Sequence, residues 1–197
     1  MHIPLDPEEI ETLRRKYGDF PIEHVALRVG EALFQKARTP IGKERRAEIL
    51  AVVVAPSGRV LVHTKRFYPT GVYRLLSGGI GTGELVEEAL QREIFEETGQ
   101  RVRGACLIGV LRYTIEHGNT RVEFASYVYR VDVEDERVEV NDVEEEIDDF
   151  RWIWPVELRE IREALLHVPE EWKDWGIFRA LGHDFVLKYG NRCGLRV

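Results

Sequence analysis

Apolar positions gather into short β-type blocks through the middle of the chain and recur at helical spacing toward both ends. Asp6-Pro7-Glu8-Glu9 supplies an N-cap with proline at the first helical position, and predicts a helix to about Tyr17 that stops at Gly18. Residues 21 to 38 fit two states: Val25, Leu27 and Val29 alternate as in a strand, while Leu33 and Phe34 suit either. Thr39-Pro40-Ile41-Gly42 reads as a turn. Ala47 to Ala55 is an apolar β-type run, and Pro56-Ser57-Gly58 turns it into a second strand from Arg59 to Lys65. A loop from Arg66 to Val72 leads to a short strand around Tyr73 to Leu76. Further strands are predicted near Arg101 to Thr114 and Thr120 to Val133, joined by a turn at His117-Gly118-Asn119, and at Phe150 to Trp154. Pro155 opens a helix with Leu158, Ile161 and Leu165 on one face, and a last helix candidate spans Pro169 to Tyr189. This order predicts an α/β fold with a mixed β-sheet between helices.

Residues Gly78 to Gly99 read GGIGTGELVEEALQREIFEETG, a glycine loop running into a helix. At about 100° per residue, Leu85, Val86, Ala89 and Leu90 fall on one broad side. Glu93, Glu96 and Glu97 continue that inward stripe, while Glu84, Glu87, Glu88, Gln91 and Arg92 lie on the opposite or flanking surface. Carboxylates aimed inward must be paired, protonated or bound to a metal. Arg92 is the only cation within the helix, so a hard divalent ion, Mg²⁺ or Mn²⁺, answers the charge best. The plainer alternative is an acidic surface helix whose carboxylates are solvated.

Composition narrows the partners. The chain has 197 residues and a net charge of −7, which argues against nucleic acid or an anionic membrane surface as the main partner. There is no long apolar run and no signal-peptide pattern. Cys106 and Cys193 lack metal-type or redox spacing and are read as unpaired, with the cytoplasm as the default location.

The segment resembles the Nudix box, G-x5-E-x7-R-E-U-x-E-E-x-G-U, where U is a bulky aliphatic residue. Gly78, Glu84, Arg92, Glu93, Ile94, Glu96, Glu97 and Gly99 fall on the pattern; the last U is the polar Gln100. Leu76-Ser77 stands where many relatives have Pro-Gly or Pro-Ala. The resemblance implies a Nudix-type α/β/α sandwich over residues 46–165, with an N-terminal extension at 1–45 and a C-terminal aromatic helix and tail at 166–197. It implies divalent-metal-dependent hydrolysis of the pyrophosphate in a nucleoside diphosphate linked to another group, of the ADP-ribose or nucleotide-sugar type. A nucleoside triphosphate pyrophosphohydrolase and a non-catalytic ligand-sensing module are the alternatives.

By the same resemblance, Glu96 and Glu97 are the principal metal ligands. Glu93 is a further ligand or the base that orients water, and the backbone carbonyl of Ser77 is a candidate ligand. Arg92 holds the acids in place by pairing with Glu88, Glu96 or Glu84. Glu84 is a helix-start acid or an outer ligand. Glu145, in the run Glu144-Glu145-Glu146, is a second candidate base, against a simple solvated charge run. Gly78, Gly79, Gly81 and Gly83 are expected to allow positive φ and close backbone approach, so that the loop folds back over metal and phosphates, and Gly99 to stop the helix. Lys65, Arg66 and Arg74 flank the glycines as candidate phosphate contacts, and Phe67, Tyr68 and Tyr73 as base platforms.

Trp172, Trp175, Phe178, Leu181 and Phe185 form one stripe on the last helix. It packs on its own domain or on a partner subunit; the sharper alternative is a lid over the substrate base. Since relatives of the fold are frequently dimers, a homodimer through this helix or residues 1–45 is expected.

Overall fold

The computed structural model describes residues 5–38, 45–140 and 146–197. The elements in chain order are α1 (Pro7–Tyr17), β1 (Ile22–Arg28), α2 (Glu31–Arg38), β2 (Arg45–Val54), β3 (Val60–Lys65) and β4 (Leu76–Gly81). They continue with α3 (Val86–Thr98), β5 (Gly104–His117), β6 (Thr120–Asp132), β7 (Ile147–Ile153), α4 (Leu158–Leu166) and α5 (Lys173–Tyr189). The turn expected at residues 39–42 and the candidate base Glu145 lie outside the described residues.

One mixed sheet runs in the order β1-β5-β6-β2-β3-β7, with β4 paired to β2. β1 lies parallel to β5 and β6 parallel to β2, while the remaining pairs are antiparallel. Successive side chains of a strand point to opposite faces, and β2 shows what that does here. Ala47, Ile49, Ala51 and Val53 pack with Ile10 and Leu13 of α1 and Val86, Leu90 and Ile94 of α3. Leu50, Val52 and Val54 pack on the other face with Phe34 of α2, Leu158 of α4 and Phe178 and Phe185 of α5. The result is the expected α/β/α sandwich. The continuous burial of β2 is why its sequence reads as a run and not as an alternation.

α1 matches its expected limits. Asp6 Oδ1 accepts from Glu8 N at 2.9 Å, and Gly18 beyond the helix takes φ 76°. The ambiguous segment resolves into both of its readings, an edge strand and then a helix.

The glycine run differs from expectation. Gly78 and Gly79 belong to β4, opposite Ile49 and Glu48 of β2, and only Gly83 of the four glycines takes a positive φ, 82°. The short strand placed around Tyr73 to Leu76 lies further on: Arg74 makes a single bridge to His63, and the strand itself starts at Leu76 as β4. Glycine weakens a hydrophobic pattern without excluding the pleated backbone, so the run looked like a loop. Gly99 does end α3 in the left-handed conformation, φ 69°, with its N–H on Phe95 O.

The cysteines also differ. Cys106 of β5 and Cys193, 87 positions later in the turn after α5, form a disulfide. Two isolated cysteines give no spacing signal; α5 folding back along the sheet brings them together. Their pairing removes the argument for a cytoplasmic location that rested on free thiols. No helix among the described residues is long and apolar enough to cross a membrane.

The aromatic stripe is covered within the chain. Phe178 and Phe185 are buried on the α2/α4 face of the sheet, while Trp172 and Trp175 remain half-buried. An exposed stripe therefore no longer argues for a homodimer.

Candidate active site

The sharp feature is where α3 meets β4. A Cβ added to Gly78 would lie 1.8 Å from Glu93 Cδ and 1.9 Å from its Oε2, so the carboxylate of Glu93 occupies the space a side chain would fill. Glycine is required here for close approach and not for a positive φ. Glu93 and Glu97 are both buried, at 7% and 1% exposure. Glu96 is a partial correction to the inward phase, since a third of its side chain reaches solvent. Leu85, predicted inward, precedes the helix and is exposed.

Arg92 organises the acids. Its guanidinium donates to Glu84 at 2.8 and 3.1 Å, to Glu93 Oε1 at 2.8 Å, to Glu96 Oε2 at 2.9 Å and to Gly79 O at 2.8 Å. These bonds, led by the one to Glu84, raise its pKa above the ordinary guanidinium value. Glu84 is held below the usual carboxylate range by Arg92 first, against burial, with help from the Gly81 N–H at 2.7 Å. Two of the three partners foreseen for Arg92 are thus observed. The third, Glu88, instead accepts from Leu85 N at 3.3 Å at the start of the helix. Lys65 Nζ lies 3.8 Å from Glu97 Oε1.

The carboxylate oxygens of Glu93, Glu96 and Glu97 suit a hard divalent ion in donor chemistry. Arg92 bonds Glu93 and Glu96 through one nitrogen, and among the described residues no group of three or more His, Cys, Asp or Glu side chains is arranged to hold a metal ion. The polar Gln100 finds its own partners: its amide donates to Asp135 Oδ1 at 3.0 Å and to Arg137 O.

A cavity of about 340 Å³ opens beside Gly78, Gly79 and Glu93. Five cationic side chains line it, Lys36, Arg45, Lys65, Arg74 and Arg179, against the carboxylates of Glu48 and Glu93. In a chain of net charge −7 this concentration of positive charge is local and directed. Glu48 of β2 is its buried anchor, bonded by Arg45 at 3.0 Å, Arg179 at 3.3 Å and the Ser126 hydroxyl at 2.6 Å. Burial pushes the Glu48 pKa up, but Arg179, Arg45 and Ser126 more than offset it and hold the group below its ordinary value. Burial lowers that of Arg45. Ser77 Oγ accepts from Arg74 at 2.9 Å and from Arg179 at 3.3 Å.

Of the predicted substrate contacts, Arg74, Gly78 and Gly79 line this cavity, together with Lys65, Phe67 and Tyr68 and the candidate metal ligand Ser77. Arg66 and Tyr73 do not. Arg66 is exposed, and its backbone N–H bonds Glu146 O at 3.0 Å. Tyr73 is a core residue whose hydroxyl meets Asp149, with Arg151 over its ring at 3.9 Å.

Sequence reasoning missed Arg45, Glu48, Lys36 and Arg179. Glu48 carried the one available signal, a charge inside an otherwise apolar strand. His183 of α5 links the two walls: Leu75 N donates to its Nε2 at 3.2 Å and its Nδ1 meets Arg179 O at 3.0 Å. Burial pushes its pKa down to about 4.

The sequence profile described as NUDIX domain matches residues 44–175. Two curated proteins named NAD-capped RNA hydrolase NudC are similar over part of the chain. The one from Haemophilus influenzae (strain PittEE) is 31% identical over 91 residues, covering 46% of this chain and 31% of that protein. The one from Mannheimia succiniciproducens is 30% identical over 90 residues, with the same coverage. The aligned region thus spans about a third of the length of these relatives. Among solved structures, the MutT protein from Methanosarcina mazei Go1 aligns with TM-score 0.49 and 17% identity, covering 78% of this chain and 99% of that one.

Proposed function

Since the chain belongs to the NUDIX domain family, by a match over about two thirds of its length, we propose that it is a pyrophosphohydrolase. It cuts the pyrophosphate of a nucleoside diphosphate joined to another group, with Mg²⁺ or Mn²⁺ as cofactor. The observation that carries this reading is the seating of Glu93 against the bare Cα of Gly78, at the mouth of a cavity that gathers five cations.

A diphosphate is negatively charged and repels an attacking hydroxide. Arg45, Lys65, Arg74 and Arg179 offset that charge and orient the phosphates, which is most of what such a transfer demands of a protein. Glu93, buried and fixed by Arg92, is placed to orient a water at the cavity wall and take its proton. Glu96 and Glu97, with the Ser77 carbonyl, would hold the divalent ion, and Glu93 would be a further ligand where it does not serve as the base. When bound, that ion neutralises phosphate charge and acidifies water. Glu84, two residues before the helix, serves as the anchor of Arg92 and accepts from the Gly81 N–H. Gly79 lets the Arg45 side chain lie against β4 at the cavity.

The cavity volume suits one nucleotide-sized ligand. The similar NudC proteins are named for NAD-capped RNA, and NAD contains a pyrophosphate between two nucleosides. The acidic surface favours a free nucleotide over RNA. A screen of product release with Mg²⁺ over ADP-ribose, nucleotide sugars, NAD, nucleoside triphosphates and NAD-capped RNA tests the reading. Glu97→Gln should abolish turnover while the chain still folds, with the apo protein melting at the same or a somewhat lower temperature, because Lys65 loses a buried charged neighbour. Turnover of none of these compounds, or an active Glu97→Gln protein, would refute the assignment.

A further inference from the structure

Arg45, Arg74 and Arg179 make up the arginine end of the cavity, and they are held in two different ways. Arg74, in the segment before β4, is fastened by neutral acceptors. Its guanidinium donates to the Tyr68 hydroxyl at 2.8 Å, to Leu75 O at 2.7 Å and to Ser77 Oγ at 2.9 Å. Arg45 of β2 and Arg179 of α5 instead converge on a single carboxylate oxygen, Glu48 Oε2, at 3.0 and 3.3 Å. The other oxygen, Oε1, accepts from the Ser126 hydroxyl at 2.6 Å, which fixes the edge that the carboxylate turns to the arginines. Arg179 is the looser of the two. Its Nη1 is divided between Glu48 and Ser77 Oγ, both at 3.3 Å, and its buried Nε has no hydrogen-bond partner among the described residues. Glu48 is buried, whereas both arginines keep part of their side chains open at the cavity.

We infer that Glu48 is a positioning residue: it holds Arg45 and Arg179 side by side before a ligand arrives, so that a diphosphate meets a grip already assembled. This inference rests on the pyrophosphohydrolase reading for the identity of the ligand and adds what prepares the site for it. A role in stability alone does not account for Glu48. A buried ion pair is often no more stabilising than apolar side chains of the same volume, and the residues that follow it on the same face of β2, Leu50, Val52 and Val54, are all apolar. Two guanidinium groups brought to one place repel each other, and a carboxylate between them lets them stay adjacent. The arrangement has a built-in opposition. The geometry of Glu48 favours an incoming phosphate, because the arginines need not be ordered on binding. Its charge disfavours the same phosphate. Substitutions that separate shape from charge should therefore move affinity in opposite directions, which a merely structural carboxylate would not do.

The test is calorimetric titration of the full chain with inorganic pyrophosphate in the absence of metal. Glu48→Gln keeps the shape and an acceptor oxygen but removes the charge, and should bind pyrophosphate roughly tenfold more tightly. Glu48→Asp keeps the charge but draws the carboxylate back from both arginines by about 1.5 Å, the length of one carbon–carbon bond. With two arginines left to be ordered on binding, it should bind at least about fivefold less tightly. Affinities that move in the same direction, a change of less than twofold in either variant, or a wild-type chain that does not bind millimolar pyrophosphate overturns the inference. Should Glu48→Gln fail to fold, Glu48→Asp and Ser126→Ala decide. Ser126→Ala removes only the bond that aims the carboxylate and should also weaken binding; either variant left within twofold of wild type overturns the inference. The titration needs no turnover, so the substrate screen is read separately. Opposite shifts in a protein that cuts nothing sink the hydrolase reading alone, and turnover without those shifts sinks this one alone.

Discussion

Gly78→Ala is the most revealing single change. Ordinary contact begins near 3.4 Å, while the new Cβ would stand 1.8 Å from Glu93 Cδ, so the carboxylate must retreat by about 1.6 Å. That movement pulls Oε1 away from Arg92, 2.8 Å distant in the native arrangement. Displacing a catalytic group by 1 Å can cost about 10²-fold in rate. We therefore expect kcat to fall at least about 100-fold, with KM changing much less because the arginine end is untouched. The backbone at Gly78 is not in the positive-φ region, so alanine strains nothing in β4 itself. Its lower unfolded-state entropy adds about 0.4–1 kcal/mol of stability, against the lost charge-assisted bond of about 1.5–3 kcal/mol. The melting temperature should drop only by a few degrees. Gly79→Ala is the matched comparison: its Cβ would meet only the flexible Arg45 side chain, at 3.1 Å, and its effect should be far milder. Steady-state kinetics and a thermal melt on both variants suffice. If Gly78→Ala keeps kcat within threefold of wild type, Glu93 is not held in a reactive position by β4.

Three further outcomes are expected. Reduction, or Cys193→Ser, should destabilise the chain by up to about 4–5 kcal/mol in urea unfolding, from the chain entropy of a closed loop spanning 87 positions; identical curves with and without reductant would mean the bridge does not form. Because His183 is held near pKa 4 in the fold against 6.5 when free, its neutral form supports stability fully above pH 6.5. That support is lost as pH falls from 6.5 toward 4, by about 3 kcal/mol; buried His63 is shifted in the same direction, so His183→Gln should flatten but not abolish the acid slope. Millimolar Mg²⁺ or Mn²⁺ should raise the melting temperature by mass action, and a curve indifferent to metal even with a non-hydrolysable nucleotide present would count against Glu93, Glu96 and Glu97 as ligands.

Local signals carried most of the fold. The Asp6 cap, the β2 run and the α3 stripe each follow from side chains close in sequence, and each matches its structural counterpart within a few residues. The acidic end of the site was legible for the same reason, because helical spacing alone places Glu93 and Glu97 inward. The cationic end was not. Glu48 and Arg179 meet across 131 positions, and Cys106 meets Cys193 across 87. Periodicity says nothing about such pairs. The glycines of β4 were misread because a residue with no side chain leaves no trace in a hydrophobic pattern. What makes Gly78 necessary is a carboxylate arriving from another element.

The division of the cavity between chain segments has an evolutionary consequence. The acids and their glycine seat come from one contiguous stretch, Gly78 to Glu97, which a lineage inherits as a block. Lys36, Trp172, Trp175 and Arg179 come from nearer the two ends of the sequence, outside that block. Descendants with the same catalytic segment can thus part company over what they accept. Grafting the terminal segments between such proteins is the direct way to move a preference from one to another.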